Sequence, residues 1–98
     1  MNVLTIREMA KLWGTDSSDV TGIASKFFVK SVPSGTVHHH HGATLYDADS
    51  TALLMLVKKR KQAERCEALA RQYRDIEKRI QDWIGGNANE REAEKDHR

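Results

Sequence analysis

"TIREMAKLWGTDSSDVTGIASKFFV", residues Thr5 to Val29, decides how the rest of the chain is read. Thr5 and Glu8 have the T-x-x-E spacing of a capping box, in which each residue satisfies the other's backbone N–H. Ile6, Met9, Ala10 and Trp13 follow at helical period and make one apolar face. Gly14 then stands where a helix end favours a left-handed residue. "TDSSD", residues 15–19, supplies side-chain oxygens for the start of a second helix. That helix turns Val20, Ile23, Ala24 and Phe27 inward and leaves Ser17, Ser18, Thr21, Ser25 and Lys26 outward. Gly22 within it costs about 1 kcal/mol relative to alanine.

Beyond Phe27 the pattern changes. Phe28, Val29 and Val32 are β-formers, and Pro33-Ser34-Gly35 is a turn signal. Thr36 and Val37 resume a β-prone run. The simplest reading is a hairpin with its tip near Ser34, whose second strand carries some of the histidines at 38–41. Gly42 breaks that run, and Thr44-Leu45-Tyr46 leads into the next element. From Asp47 to Ile84 there is no proline or glycine. One unbroken helix is expected there, about 57 Å long, stopped by Gly85-Gly86. Leu53, Leu54, Leu56 and Val57 would pack on the N-terminal elements. Cys66, Leu69, Tyr73, Ile76, Ile80 and Trp83 then recur at alternating steps of three and four, a heptad seam suited to pairing with a second copy, packing on its own domain being the less favoured alternative. The expected fold is mainly α with a small β-hairpin: a compact unit over 1–57, a basic then heptad-patterned helix over 58–84, and a polar, disordered tail over 85–98.

Composition limits the classes. The chain has 98 residues, 39% hydrophobic and 31% charged, which suits one small domain aided by a second subunit. A single cysteine, Cys66, excludes an internal disulfide framework and fits a reducing, cytoplasmic setting. Arg7, Glu8, Lys11, Asp16 and Asp19 leave no signal-peptide core near the start, and Ala52 to Val57 is too short to cross a bilayer. Net charge is only +2, but it is uneven. Lys58, Lys59, Arg60 and Lys61 form the most basic run, which points to an anionic partner.

The four histidines invite a metal reading. On a strand, His38 and His40 share one face and His39 and His41 the other. Asp47 or Asp49 could complete a zinc set on paper, but such a site needs three or four converging ligands, and no cysteine pair exists. No metal or other cofactor is expected. A solvated strand, or one whose imidazoles donate to a polyanion, accounts for the run equally well. Ser17, Ser18, Asp16, Asp19 and the histidines can be drawn as a triad, yet their spacing is that of a capped helix start. With no glycine-rich phosphate loop and no nucleophile elbow, catalysis is not expected.

The order of elements then carries a resemblance. Capped helix, glycine turn, second helix, hairpin and a Tyr-Asp entry into a further helix resemble the winged helix-turn-helix of the MerR-like and excisionase-like DNA-binding superfamily. The DNA-binding domains of some phage small terminase subunits look similar. In that superfamily a helix like "TIREMAKLWG" is followed by apolar residues six and nine positions after the glycine; here these are Val20 and Ile23. The apolar pair after the recognition helix falls on Phe28 and Val29. The strand entering the next helix falls on Gly42, Thr44 and Tyr46, and the leucine after it on Leu53. Thr21 and Thr44 stand where relatives carry arginines, and Phe27 where they carry glycine.

The resemblance implies a dimeric, sequence-specific reader of double-stranded DNA, nucleoid-associated in the cytoplasm. Ser17, Ser18, Thr21, Ser25 and Lys26 would meet the major groove. Lys30, Thr36, His38, His39 and His40 would follow the backbone from the hairpin, and Lys58, Lys59, Arg60 and Lys61 would add attraction. The homodimer would form through Cys66, Leu69, Tyr73, Ile76, Ile80 and Trp83. A small phage- or plasmid-type transcriptional regulator fits this size. A terminase- or partition-type DNA-binding factor shares the same parts, and a coiled-coil adaptor that no longer binds DNA is the reading the missing arginines favour.

Overall fold

The fold is known from a computed structural model, which describes residues 2–33 and 43–96, with 87–96 as backbone alone. It is mainly helical, with one small antiparallel sheet of three strands. The Thr5 capping box closes: Glu8 N–H donates to Thr5 Oγ1 at 3.1 Å and Thr5 N–H to Glu8 Oε1 at 3.0 Å. It opens α1 (Ile6–Trp13), which buries Met9, Ala10 and Trp13. Gly14 ends α1 in the left-handed region, with φ 67°. α2 (Ser17–Ala24) follows after a short turn and buries Val20 and Ala24.

A single 3-10 turn, Ser25–Phe27, leads into β2 (Phe28–Val32). β1 (Val3–Leu4) and β3 (Ala43–Asp47) complete the sheet, in the order β1-β3-β2. Val3 lies opposite Asp47 and Phe28 opposite Tyr46, with an irregularity between Phe28 and Lys30. The second strand of the hairpin is thus Ala43–Asp47, entering the next helix. The tip expected near Ser34 and the histidine run lie outside the described residues. β1 was not anticipated, because two residues are too few to show a period.

Asp47 caps α3 (Ala48–Arg65), accepting from Ser50 N at 3.2 Å and from Ser50 Oγ at 2.8 Å. Asn2 fastens the chain's start to the same place, donating to Asp49 from its backbone N at 2.9 Å and from Nδ2 at 3.1 Å.

Three expectations are corrected here. The long helix is not continuous. At Cys66 the backbone leaves helical space (φ −132°, ψ 96°), a 3-10 turn over Glu67–Leu69 reverses the chain, and α4 (Ala70–Asp96) packs along α3. No proline or glycine is needed, because the contacts made by folding back outweigh a helix propensity worth only tenths of a kcal/mol per residue. Nor do Gly85 and Gly86 stop α4, which carries its helical backbone to Asp96 through the segment read as a disordered tail.

The inward face of α3 is also different. Ala48, Thr51, Ala52, Met55, Lys59 and Ala63 are its buried residues, while Leu53, Leu54 and Val57 are 57%, 41% and 45% exposed. Of the four aliphatic residues expected to pack inward, only Leu56 packs against the core. Ala48, Thr51 and Ala52 face the centre where α2, α4 and the sheet approach this helix. Leucine would not fit where Ala48 and Ala52 sit.

The core joins both ends of the chain. Trp13 and Ile80 are fully buried in one cluster, and Trp83 meets Trp13 edge-on at 5.6 Å between ring centroids. α3 runs through the expected boundary at residue 57, and one core spans Met9 to Ile80.

Substituting the two neighbours on α3 tests which face is inside. Ala52→Leu should cost about 1–3 kcal/mol by overpacking. Leu53→Ala should change stability by about 0.5 kcal/mol or less, as expected for an exposed site. Urea unfolding of both variants provides the comparison.

Candidate nucleic-acid interface

α2 has two unlike faces. Val20 and Ala24 are fully buried, and Ser17, Ser18, Thr21, Ser25 and Lys26 are all exposed. Short hydroxyl side chains on an outward face let a helix backbone approach another surface closely. The Thr21 hydroxyl donates to Ser17 O at 2.8 Å, and its oxygen still offers an acceptor. At the N-terminus, Asp16 has the extended backbone of a cap, but its side chain makes no capping bond.

What holds α2 in place is Asp19. Its carboxylate accepts from Lys59 Nζ at 2.7 Å and from Lys58 Nζ at 3.3 Å, tying α2 to α3. The Lys59 ammonium is also 5.3 Å from the centroid of Tyr73 on α4, a cation–π contact. Lys59 is 1% exposed. The hydrogen bond from Lys59 holds the Asp19 carboxyl below its ordinary value of 3.8; burial opposes this, and the charges of both lysines reinforce it. A cavity of about 320 Å³, lined by Gly14, Thr15, Asp16, Asp19, Lys59 and Tyr73 among others, borders the pair.

This arrangement redistributes the expected DNA-contacting residues. Lys59 is corrected: it is internal and cannot meet a phosphate. Lys58 spends its charge on Asp19, and Arg60 on Glu77 at 3.1 Å, which Arg74 joins at 3.4 Å. Lys61 is exposed. Lys30 is exposed on β2, an edge strand, four residues beyond Lys26. Thr36, His38, His39 and His40 lie outside the described residues. Asp19, next to the outward face of α2, has its charge balanced by Lys58 and Lys59.

The expected dimer seam is largely occupied by the chain's own head. Ile80 is fully buried, and Ile76 and Trp83 pack against the same core. Tyr73 lies against Lys59, Cys66 is half-buried at the reversal, and only Leu69 is mainly open, at 40%. Pairing through this seam would require peeling α4 away. The reason is geometric: the seam's period is also that of a helix packing on one neighbour, and the fold-back supplies that neighbour.

Among the described residues, no group of three or more His, Cys, Asp or Glu is placed to hold a metal ion, and no helix is long and apolar enough to cross a membrane. No family model, curated protein or solved structure matches the chain. The Asp19–Lys59 pair was missed in the sequence. Its only trace there is a lysine at 59 in the same helical row as Ala52, Met55 and Ala63.

The pair sets a pH dependence. Because the folded Asp19 pKa is depressed, its stabilisation is complete above the unfolded value near 3.8 and disappears as pH falls through the folded one. Asp19→Asn should therefore cost about 2–3 kcal/mol at pH 7, since it strips a buried lysine of its partner. The gap from the unsubstituted protein should narrow as pH falls below 3.8 and close once the folded carboxyl is protonated. Lys58→Ala, at an exposed pair, should cost about 1 kcal/mol or less. Urea unfolding across pH measures all three.

Proposed function

We propose that this chain binds double-stranded DNA, with α2 as the helix that enters the major groove and the β2–β3 hairpin as the wing beside it. The observation that carries this reading is the outward face of α2. Ser17, Ser18, Thr21, Ser25 and Lys26 are free of the core, on a helix whose opposite face and Asp19 are fixed to α1 and α3. Hydroxyl groups can give or take hydrogen bonds at base edges, and the uncapped first-turn amides of α2 favour a phosphate. Lys26 and Lys30 would position the duplex; Thr36 and His38–His40, also proposed as contacts, lie outside the described residues. The biological role that suits such a small reader is that of a phage- or plasmid-type transcriptional regulator. Packaging or partition factors use the same chemistry.

One observation favours the adaptor reading. Of Lys58, Lys59, Arg60 and Lys61, three are engaged with acids of the same chain, so few cations remain for phosphate. The two readings differ in salt response, because each phosphate contact releases counterions.

Selection of duplexes from a random pool, followed by anisotropy titrations, separates them. A DNA reader enriches a defined sequence, with a log–log salt slope of about −2 to −4 for so few cations. Thr21→Asp and Lys26→Glu should each weaken binding about tenfold or more without changing the circular dichroism. No enriched sequence and no salt-dependent binding would leave the adaptor reading standing.

A further inference from the structure

The reversal between α3 and α4 is built from residues that favour continuing a helix. It reads "QAERCEALARQ" over residues 62–72, and all but Cys66 are strong helix formers. The turn has little of its own to oppose that preference: Glu67, Ala68 and Leu69 are exposed, and Cys66 is half-buried. What keeps the chain folded back is α4 on the head formed by α1–α3. Ile80 is fully buried there, Trp83 meets Trp13, Tyr73 faces Lys59 and Glu77 binds Arg60. None of these contacts requires head and α4 to belong to one chain. We propose that two copies exchange α4. Residues 66–69 become helical, α3 and α4 join into one rod, and each α4 seats on the head of the other copy.

The contacts within one chain already specify this pairing. Lys59 and Tyr73, which face each other, each stand seven residues from Cys66. Arg60 and Glu77 stand eight and nine residues from Ala68. The α3–α4 pairing is therefore symmetric about the turn itself. Two opened rods lying antiparallel, with a two-fold axis at residues 66–69, make the same pairs between copies. The stripe is continuous as well. Lys59, Ala63, Cys66, Leu69, Tyr73 and Ile76 follow one another at steps of three and four, straight through the turn. A straight rod thus keeps the inward faces of α3 and α4 on one side. Straightening replaces a 3-10 turn with regular helix, and the entropy of joining two chains opposes it, so protein concentration sets the balance. Opening takes Ile80 and Trp83 out of the core, so monomer and dimer interconvert slowly. None of this depends on the DNA reading.

The test uses the full chain, reduced and without DNA. It is unfolded in urea, refolded at about 500 µM and fractionated by size. Monomer and dimer should both appear and should not interconvert on dilution. In dimer refolded from an equal mixture of isotope-labelled and unlabelled copies, filtered NOEs should connect Trp13 of one copy to Trp83 of its partner. Cys66→Ala, a better helix former at the turn, should raise the dimer-to-monomer ratio about threefold or more. Glu67→Gly/Ala68→Gly should lower it at least about tenfold, with the circular dichroism of the monomer unchanged. If wild type and Cys66→Ala both refold only as monomer, the exchange is overturned. A dimer without Trp13–Trp83 NOEs between copies, or a glycine double variant that dimerises as well as wild type, also overturns it.

Discussion

Lys59 has given up nearly all its contact with water, and Asp19 is what makes that tolerable. An unpaired ammonium in such a place would cost several kcal/mol. With a carboxylate at 2.7 Å and the Tyr73 ring at 5.3 Å, the charge is balanced from α2 and faced by α4. Three helices therefore meet at one side chain. The pair stabilises little beyond what an apolar contact would give, but it is directional. It ties α2 to α3 in the rotation that burial of Val20 and Ala24 already requires, with Ser17, Thr21 and Ser25 outward.

The contact also sets the charge beside the outward face of α2. Had Asp19 faced solvent, α2 would have presented a negative charge beside its hydroxyl groups and repelled a phosphate. Turned inward, it leaves a face of short polar side chains and Lys26. Asp19 engages two of the four residues in the most basic run of the chain, Lys58 and Lys59, and Glu77 engages a third, Arg60. The run is partly a structural ion network. The cations left exposed around α2 and β2 are Lys26 and Lys30.

The reversal at Cys66 has a parallel effect on assembly. It sends Ile76, Ile80 and Trp83 back to the core that Trp13 occupies, so apolar residues patterned for a partner helix are satisfied within one chain. In exchange, α3 sits with its small residues inward and Leu53, Leu54 and Val57 outward. Exposed apolar surface lies on α3 rather than along the seam of α4.

The sequence alone determined the local events. The Thr5–Glu8 box, the glycine turn, the division of α2 into Val20/Ala24 and Ser17/Thr21 faces, and the Asp47 entry into α3 all depend on neighbours within a few residues. Their signals are the capping and periodic patterns of those residues themselves. Only the tertiary structure decided the rest: that the long helical segment breaks at Cys66, which of two apolar faces of α3 lies inside, and that Lys59 is buried. None of these has a local cause. Each depends on a partner distant in sequence, Asp19 forty residues before Lys59 and Trp13 far before Ile80. A helical period states that a face is apolar, but not which surface will cover it.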